Sequence, residues 1–306
     1  MKKVFIDGSA GTTGLRIHER LSHRSDLTLV TLPDAIRKDP AARKEAINGA
    51  DIVFLCLPDA AAIEAVSMIE NDRVAVIDTS TAHRTAPGWV YGFPELCRRE
   101  AIAASRRIAN PGCHASGFLA LTEPLVRAGV LKKDALLTCF SLTGYSGGGK
   151  KMIADYEGEG RSPLLDAPRQ YGLAQGHKHL PEMVQIAGLE NPPVFCPVVG
   201  DFYSGMEVTV PVFARDLNGD AEDIRCVYRK TYQSGLVRFA DADEEGGFLS
   251  AGAFSGRDDM EVRVTGNGER VLLVARFDNL GKGASGAAIQ NMNILLGVEE
   301  STGLCV

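Results

Sequence analysis

In its first 110 residues the chain alternates short apolar runs with helical patterns, and this alternation constrains its fold more than any other feature. "KKVFIDG", "LTLVTL", "DIVFLCLP" and "RVAVIDTS" read as strands. "DIVFLCLP" is almost continuously apolar, as a parallel strand is when both of its faces are covered. Between the strands, "TTGLRIHERLSHR" sets Leu15, Ile17 and Leu21 at roughly helical spacing, and "DPAARKEAING" and "AAIEAVSMIEN" give two further helices. Parallel strands joined by helices of this length need right-handed crossovers. The expectation is an α/β chain that opens with a Rossmann-type, doubly wound parallel sheet.

From about residue 135 the pattern changes. "ALLTCFSLTG", "PPVFCPVVG", "GMEVTVPVFA", "MEVRVTG" and "RVLLVARFDNLG" are half-buried strands with little helix between them, which predicts a second α+β domain with a mostly antiparallel sheet. "DAEDIRCVYRKTYQSG" is a helix, whereas "TGYSGGGKK" (143–151) and "ADADEEGG" read as loops. The final helix, "GASGAAIQNMNILLG", closes at Gly297 and is expected to return to the first domain. The boundaries that follow are 1–112 with 284–306 for the nucleotide-binding domain, and 113–283 for a catalytic and dimerisation domain. At 306 residues the chain has enough material for two cores.

Composition removes several classes of function. A net charge of −6 with interspersed signs gives no nucleic-acid footprint and no reason to bind an anionic membrane. "MKKVFIDGSAG" has too short an apolar stretch for a signal peptide, and no run is long enough to span a bilayer. Seven scattered cysteines without a CxxC pair suggest neither a disulfide framework nor a zinc site, so a reducing cytosol and no metal are expected.

"GSAGTTG" lies between the first strand and the first helix. Gly8, Gly11 and Gly14 permit a tight turn and close backbone approach, and Ser9, Ala10, Thr12 and Thr13 complete the loop. The helix start offers N–H groups and the positive end of a dipole to a pyrophosphate. A structural turn is the plainer alternative. No acidic residue ends the second strand where a ribose 2′-hydroxyl would be held. Arg37 and Lys38 follow instead, and cations there suit a 2′-phosphate, which favours NADP(H) over NAD.

"NPGCHAS" (110–116) presents Cys113 after a Pro-Gly turn and ahead of a helix. A helix amino end lowers a thiol's pKa and can hold an oxyanion. The other six cysteines sit in apolar runs or near the terminus, where buried, inert thiols are expected. "GHKHLPEM" supplies His177, His179 and Glu182 as acid–base candidates, with the two histidines sharing a face if the segment is extended. Spacing does not rank them securely. Because Pro181 and Glu182 follow His179 closely, His177 is favoured as the base and His179 as its support.

Taken together, these stretches make the chain recognisable. "GSAGTTG", "DTSTAHR", "YGFPEL", "NPGCHAS", "GYSGGGKK", "HKHLPEM", "VVGDFYSGMEVTVP" and "DNLGKGASGAAIQNMN" occur in this order. The chain resembles the short-form N-acetyl-gamma-glutamyl-phosphate reductases, within the aspartate-semialdehyde dehydrogenase-like group, over nearly its whole length.

The resemblance implies a thioester-forming Cys113 and an acid–base histidine from the "HKH" segment. It implies cofactor contacts from Gly8 to Gly14 and from Ser80, with Gly147 and Asn279 in segments that close around the nicotinamide and phosphates. Arg84, Asn110, Lys150 and Arg257 are candidate contacts for an anionic acyl phosphate, although solvated surface charge is the competing explanation for the three cations. The implied reaction is NADPH-dependent reduction of N-acetyl-gamma-glutamyl phosphate to the semialdehyde in arginine biosynthesis, by a cytoplasmic homo-oligomer (dimer or tetramer). A sister activity on aspartyl phosphate and a catalytically dead nucleotide-binding protein are the alternatives. Two departures stand out: His114 follows the cysteine where many relatives carry an aromatic residue, and "SGGGK" lacks an alanine that many relatives have.

Overall fold

The computed structural model describes residues 1–233, 235–241 and 245–306. Parts of two expected segments, the end of "DAEDIRCVYRKTYQSG" and the middle of "ADADEEGG", lie outside the described residues. The chain begins β1 (Lys2–Asp7), α1 (Thr12–Ser22), β2 (Leu27–Val30), α2 (Pro40–Gly49), β3 (Ile52–Leu55), α3 (Asp59–Ser67), β4 (Ala75–Asp78). It continues with β5 (Val90–Tyr91), α4 (Arg99–Ala104), β6 (Arg107–Ala109), α5 (Cys113–Arg127), β7 (Thr138–Gly144), α6 (Gly149–Glu157), β8 (Arg169–Gln170) and α7 (Leu180–Ala187). The last elements are β9 (Val194–Gly200), β10 (Met206–Phe213), α8 (Ala221–Thr231), β11 (Val237–Phe239), β12 (Met260–Gly266), β13 (Arg270–Phe277) and α9 (Gly286–Leu296).

Two compact units result, Met1–Pro111 with Ala284–Leu304, and Gly112–Gly283 with Cys305–Val306. The first holds a six-stranded sheet of order β2-β1-β3-β4-β6-β5, parallel throughout. Strand alternation feeds two cores, one per face. Val4, Ile6, Ile52, Phe54 and Ile77 pack with α1 and α9, while Phe5, Val53, Leu55 and Val76 pack with α2 and α3. This two-sided burial explains the continuous apolar strands. α2 starts where Pro40 follows Asp39, whose carboxylate accepts from the Ala42 N–H. α9 ends at Gly297, which takes the left-handed conformation (φ +69°) that glycine adopts without steric cost.

The second unit holds a seven-stranded sheet of order β11-β12-β13-β10-β7-β9-β8. It is mixed, because β11 runs parallel to β12 and β7 parallel to β9, while the remaining pairs are antiparallel. α5 lies on one face and packs against β10 and β13. It sits close because residue 117 is glycine, where a Cβ would stand 2.5 Å from Val208 Cγ2.

Two local expectations fail. Within "TGYSGGGKK", Tyr145–Gly148 is a 3-10 turn that leads directly into α6. The histidine segment is not extended either: His179 has helical backbone angles (φ −86°, ψ −14°) and caps α7. Pro181 in the first turn of α7, with its φ preset for helix, accounts for this.

Candidate active site

In the second unit, Cys113 is the first residue of α5, and Gly112 caps the helix without any side-chain hydrogen bond. The first N–H groups of a helix have no partner inside it. Here the Gly112 N–H donates to Glu182 Oε2 at 3.2 Å, so a buried carboxylate from α7 ties down the turn that presents Cys113. Glu182 Oε1 stands 3.9 Å from His179 Nε2. Cys113 Sγ and one ring nitrogen from each of His114 and His179 all lie within 4.8 Å of one another. The structure therefore groups His179, rather than His177, with the thiol.

His177 packs directly against His179. Its Nδ1 accepts from the His179 N–H at 3.3 Å, and its ring meets that of His179 at 4.8 Å between centroids, 75° apart. Burial, with Lys178 adding to it, lowers its pKa. The expectation of two histidines on one face of an extended strand is overturned by the turn into α7.

His114 is the residue that sequence reasoning undervalued. It is buried, with Nδ1 2.7 Å from Ser141 Oγ and Nε2 2.7 Å from the Tyr171 hydroxyl. Burial lowers its pKa to about 3, with His177 and Lys178 acting in the same direction. Tyr171 and Ser141 carried no sequence signal: one follows the two-residue strand β8 and the other is a single hydroxyl on β7. Both His114 nitrogens thus have hydrogen-bond partners within the protein.

The other second-unit candidates divide. Lys150 is exposed on the first turn of α6. Arg257 is engaged: its Nε and Nη2 each lie 2.7 Å from a different oxygen of Asp259, so its fork holds a neighbour. Asn279 is buried, donates to Ser146 Oγ at 2.9 Å and accepts from the Gly205 N–H at 3.0 Å. It fixes the turn that carries Gly147, where a Cβ would lie 3.5 Å from Asn279 Nδ2.

In the first unit, Gly8 takes φ +89°, and a Cβ there would come within 2.3 Å of Cys56 O. A Cβ on Gly14 would come within 2.5 Å of Gly8 O. The loop from Gly8 through Ser9 and Ala10 to Gly11 therefore folds tightly, and α1 begins at Thr12, Thr13 and Gly14 with no side-chain cap. These features fit the pyrophosphate of a dinucleotide. From Gly8 and Ser9 a cavity of about 230 Å³ runs to Arg37 and Lys38. Arg43 also lines it, but its charge is committed to Asp7 and Glu64. Among the described residues the Arg37 side chain pairs with exposed Asp34 at 3.2 Å, a contact of little strength.

Ser80 is fixed by the buried Asp78, which accepts from its N–H at 2.9 Å and its hydroxyl at 2.7 Å. His83 Nδ1 lies 2.6 Å from the same carboxylate, with Trp89 stacked on its ring. Arg84 is buried and donates to the carbonyls of Asn110 and Thr79. Asn110 in turn donates to the Ala284 carbonyl. These two residues brace the end of β6. Among the other cysteines, burial raises Cys139 and pushes Cys56 up to about 12. Cys97, Cys226 and Cys305 are exposed, contrary to the expectation of buried thiols.

Among the described residues, no helix is long and apolar enough to cross a membrane. A family model described as the semialdehyde dehydrogenase NAD binding domain matches residues 12–105, and one described as the semialdehyde dehydrogenase dimerisation domain matches 113–279. The chain is 45% identical to N-acetyl-gamma-glutamyl-phosphate reductase 2 of Nostoc sp., covering 99% of both chains. It is 48% identical to the Pseudomonas putida protein of the same name, covering 98% of both. Aspartate semialdehyde dehydrogenase II of Vibrio cholerae, solved in complex with ASA, matches with a TM-score of 0.74 over 97% of this chain and 98% of that one. At 18% identity, that likeness speaks for the fold. The chain belongs to the N-acetyl-gamma-glutamyl-phosphate reductase family.

Proposed function

We propose that the protein reduces N-acetyl-gamma-glutamyl phosphate to N-acetylglutamate 5-semialdehyde, with NADPH as reductant and Cys113 as nucleophile. The observation that carries this is the placement of Cys113 at the start of α5 with His179 and Glu182 beside it. His179 accepts the thiol proton, and the thiolate attacks the acyl carbonyl. N–H groups at the start of α5 hold the oxyanion while inorganic phosphate departs, leaving a thioester on Cys113. A reduced nicotinamide, when bound, supplies hydride to that thioester carbonyl. Collapse of the thiohemiacetal releases the aldehyde, and His179 returns its proton to the sulfur.

Glu182 supports the imidazolium that His179 becomes. At 3.9 Å it acts through charge rather than through a hydrogen bond. We assign Gly8 to Gly14 and Ser80 to the cofactor, and Arg37 and Lys38 to its 2′-phosphate, since both line the cavity that opens from the loop. Gly147 and Asn279 belong to the same cofactor assignment in the second unit. Lys150 is retained as a substrate clamp, whereas Arg84, Asn110 and Arg257 hold protein groups and act indirectly.

The enzyme is proposed to work as a homo-oligomer in the cytosol. The sheet face opposite α5 carries exposed Phe140, Phe213 and Leu272, an apolar surface suited to a second copy. The deciding assay is NADP- and phosphate-dependent oxidation of N-acetylglutamate semialdehyde beside aspartate semialdehyde. Preference for the acetylated substrate supports the assignment, and preference for aspartate semialdehyde replaces it with the sister activity.

A further inference from the structure

Hydrogen-bond accounting around His114 gives its contact with Tyr171 a direction. A neutral imidazole has one N–H and one lone pair, so its two bonds must run in opposite senses. Ser141 is fully buried, and its hydroxyl has no other hydrogen-bond partner among the described residues. If His114 Nδ1 donated to Ser141, the Ser141 proton would be buried without an acceptor, a costly arrangement. The hydroxyl therefore donates to Nδ1, and the single imidazole proton sits on Nε2 and is donated to the Tyr171 oxygen at 2.7 Å. The Tyr171 proton is left to point elsewhere, and no acceptor for it is found among the described residues in the absence of substrate.

Several groups face this place. Cys113 Sγ stands within 4.8 Å of a His114 nitrogen, His179 belongs to the same cluster, and Glu182 Oε1 lies 3.9 Å from His179 Nε2. The His177 ring lies 6.2 Å from that of Tyr171. We propose that Tyr171 is a catalytic residue of this site, donating its hydroxyl proton to the Cys113 sulfur, and that His114 is the positioning residue that sets this direction. This rests on Cys113 being the nucleophile, as proposed above.

The chemistry asks for such a donor twice: when the thiolate attacks, and when the sulfur leaves the thiohemiacetal carrying negative charge. The Tyr171 O–H bond stays intact in both steps. Burial, and secondarily the neighbouring Cys113, raise the phenol's pKa, so the proton remains on oxygen as a donor. His114 stays neutral throughout the working pH range and keeps the same polarity.

The test is the pH profile of Cys113 alkylation by iodoacetamide, read by peptide mapping in wild type, Tyr171→Phe, His114→Phe, His114→Gln and the Tyr171→Phe/His114→Phe double variant. Tyr171→Phe removes one oxygen and should raise the apparent thiol pKa by about one unit, because a bond to the charged form is lost. His114→Phe should give a similar shift. His114→Gln, whose amide can still donate to the Tyr171 oxygen, should recover most of it. The double variant should shift no further than either single one. A Tyr171→Phe profile within about 0.2 unit of wild type, or additive shifts in the double variant, would overturn the proposal. If alkylation at Cys113 spares turnover in wild type, the nucleophile assignment itself falls, which is a different result from an unmoved profile.

Discussion

The two oxygens of Glu182 face different elements of the site: Oε2 accepts from the Gly112 N–H at 3.2 Å, and Oε1 stands 3.9 Å from His179 Nε2. One carboxylate thus meets both the turn that presents Cys113 and the imidazole of His179, the proposed nucleophile and base. Glu182→Gln keeps the shape and removes the charge. It should lower kcat by roughly tenfold or more while leaving NADPH affinity unchanged, as compared by steady-state kinetics and titration. A change in cofactor affinity alone would contradict this pairing.

The two histidines should separate kinetically. Replacing His179 with asparagine should cut kcat by roughly a hundredfold or more, since it stands in the Cys113 cluster. The same change at His177 should act more on KM. The opposite ranking would restore His177 as the base.

The backbone of the histidine segment shows where sequence legibility ended. The parallel sheet was readable because continuous apolar strands and amphipathic helices obey simple periodicities. The glycine loop was readable because its position after β1 gives it meaning. His179 depended on one proline, since Pro181 turned an expected strand into the start of α7. For Arg257 and Arg84 the sequence did not show which protein acceptors are near. Arg257 bonds Asp259, and Arg84 bonds two backbone carbonyls. His114, noted only as a departure from relatives, could be interpreted only once Ser141 and Tyr171 stood beside it.

Cofactor choice should depend on Arg37 and Lys38. Changing both to alanine should raise KM for NADPH several-fold and leave KM for NADH nearly unchanged, because only the former carries the 2′-phosphate. Equal effects on both cofactors would place that phosphate elsewhere.

Acid stability should carry the signature of His114. Its pKa falls from 6.5 in the unfolded chain to about 3 when folded. Below pH 6.5 the unfolded state therefore binds the proton first, and the contribution, complete above that pH, is lost as pH falls toward 3. Each unit in this window costs about 1.4 kcal/mol from this residue. Denaturant titrations of His114→Gln should show a correspondingly shallower acid limb than wild type. Parallel limbs would mean that His114 is protonated in the fold.

Cysteine chemistry at residue 113 is the central claim, and pre-steady-state oxidation of N-acetylglutamate semialdehyde with NADP and no phosphate tests it most directly. Hydride leaves in this direction but the thioester has no acceptor, so absorbance at the reduced-nicotinamide band should rise in a burst of one equivalent per active chain and then stall. Mass spectrometry should find the acyl group on the Cys113 peptide, and Cys113→Ser should bind cofactor normally and show no burst. A burst that persists in the serine variant, or an acyl group on another residue, would contradict the account.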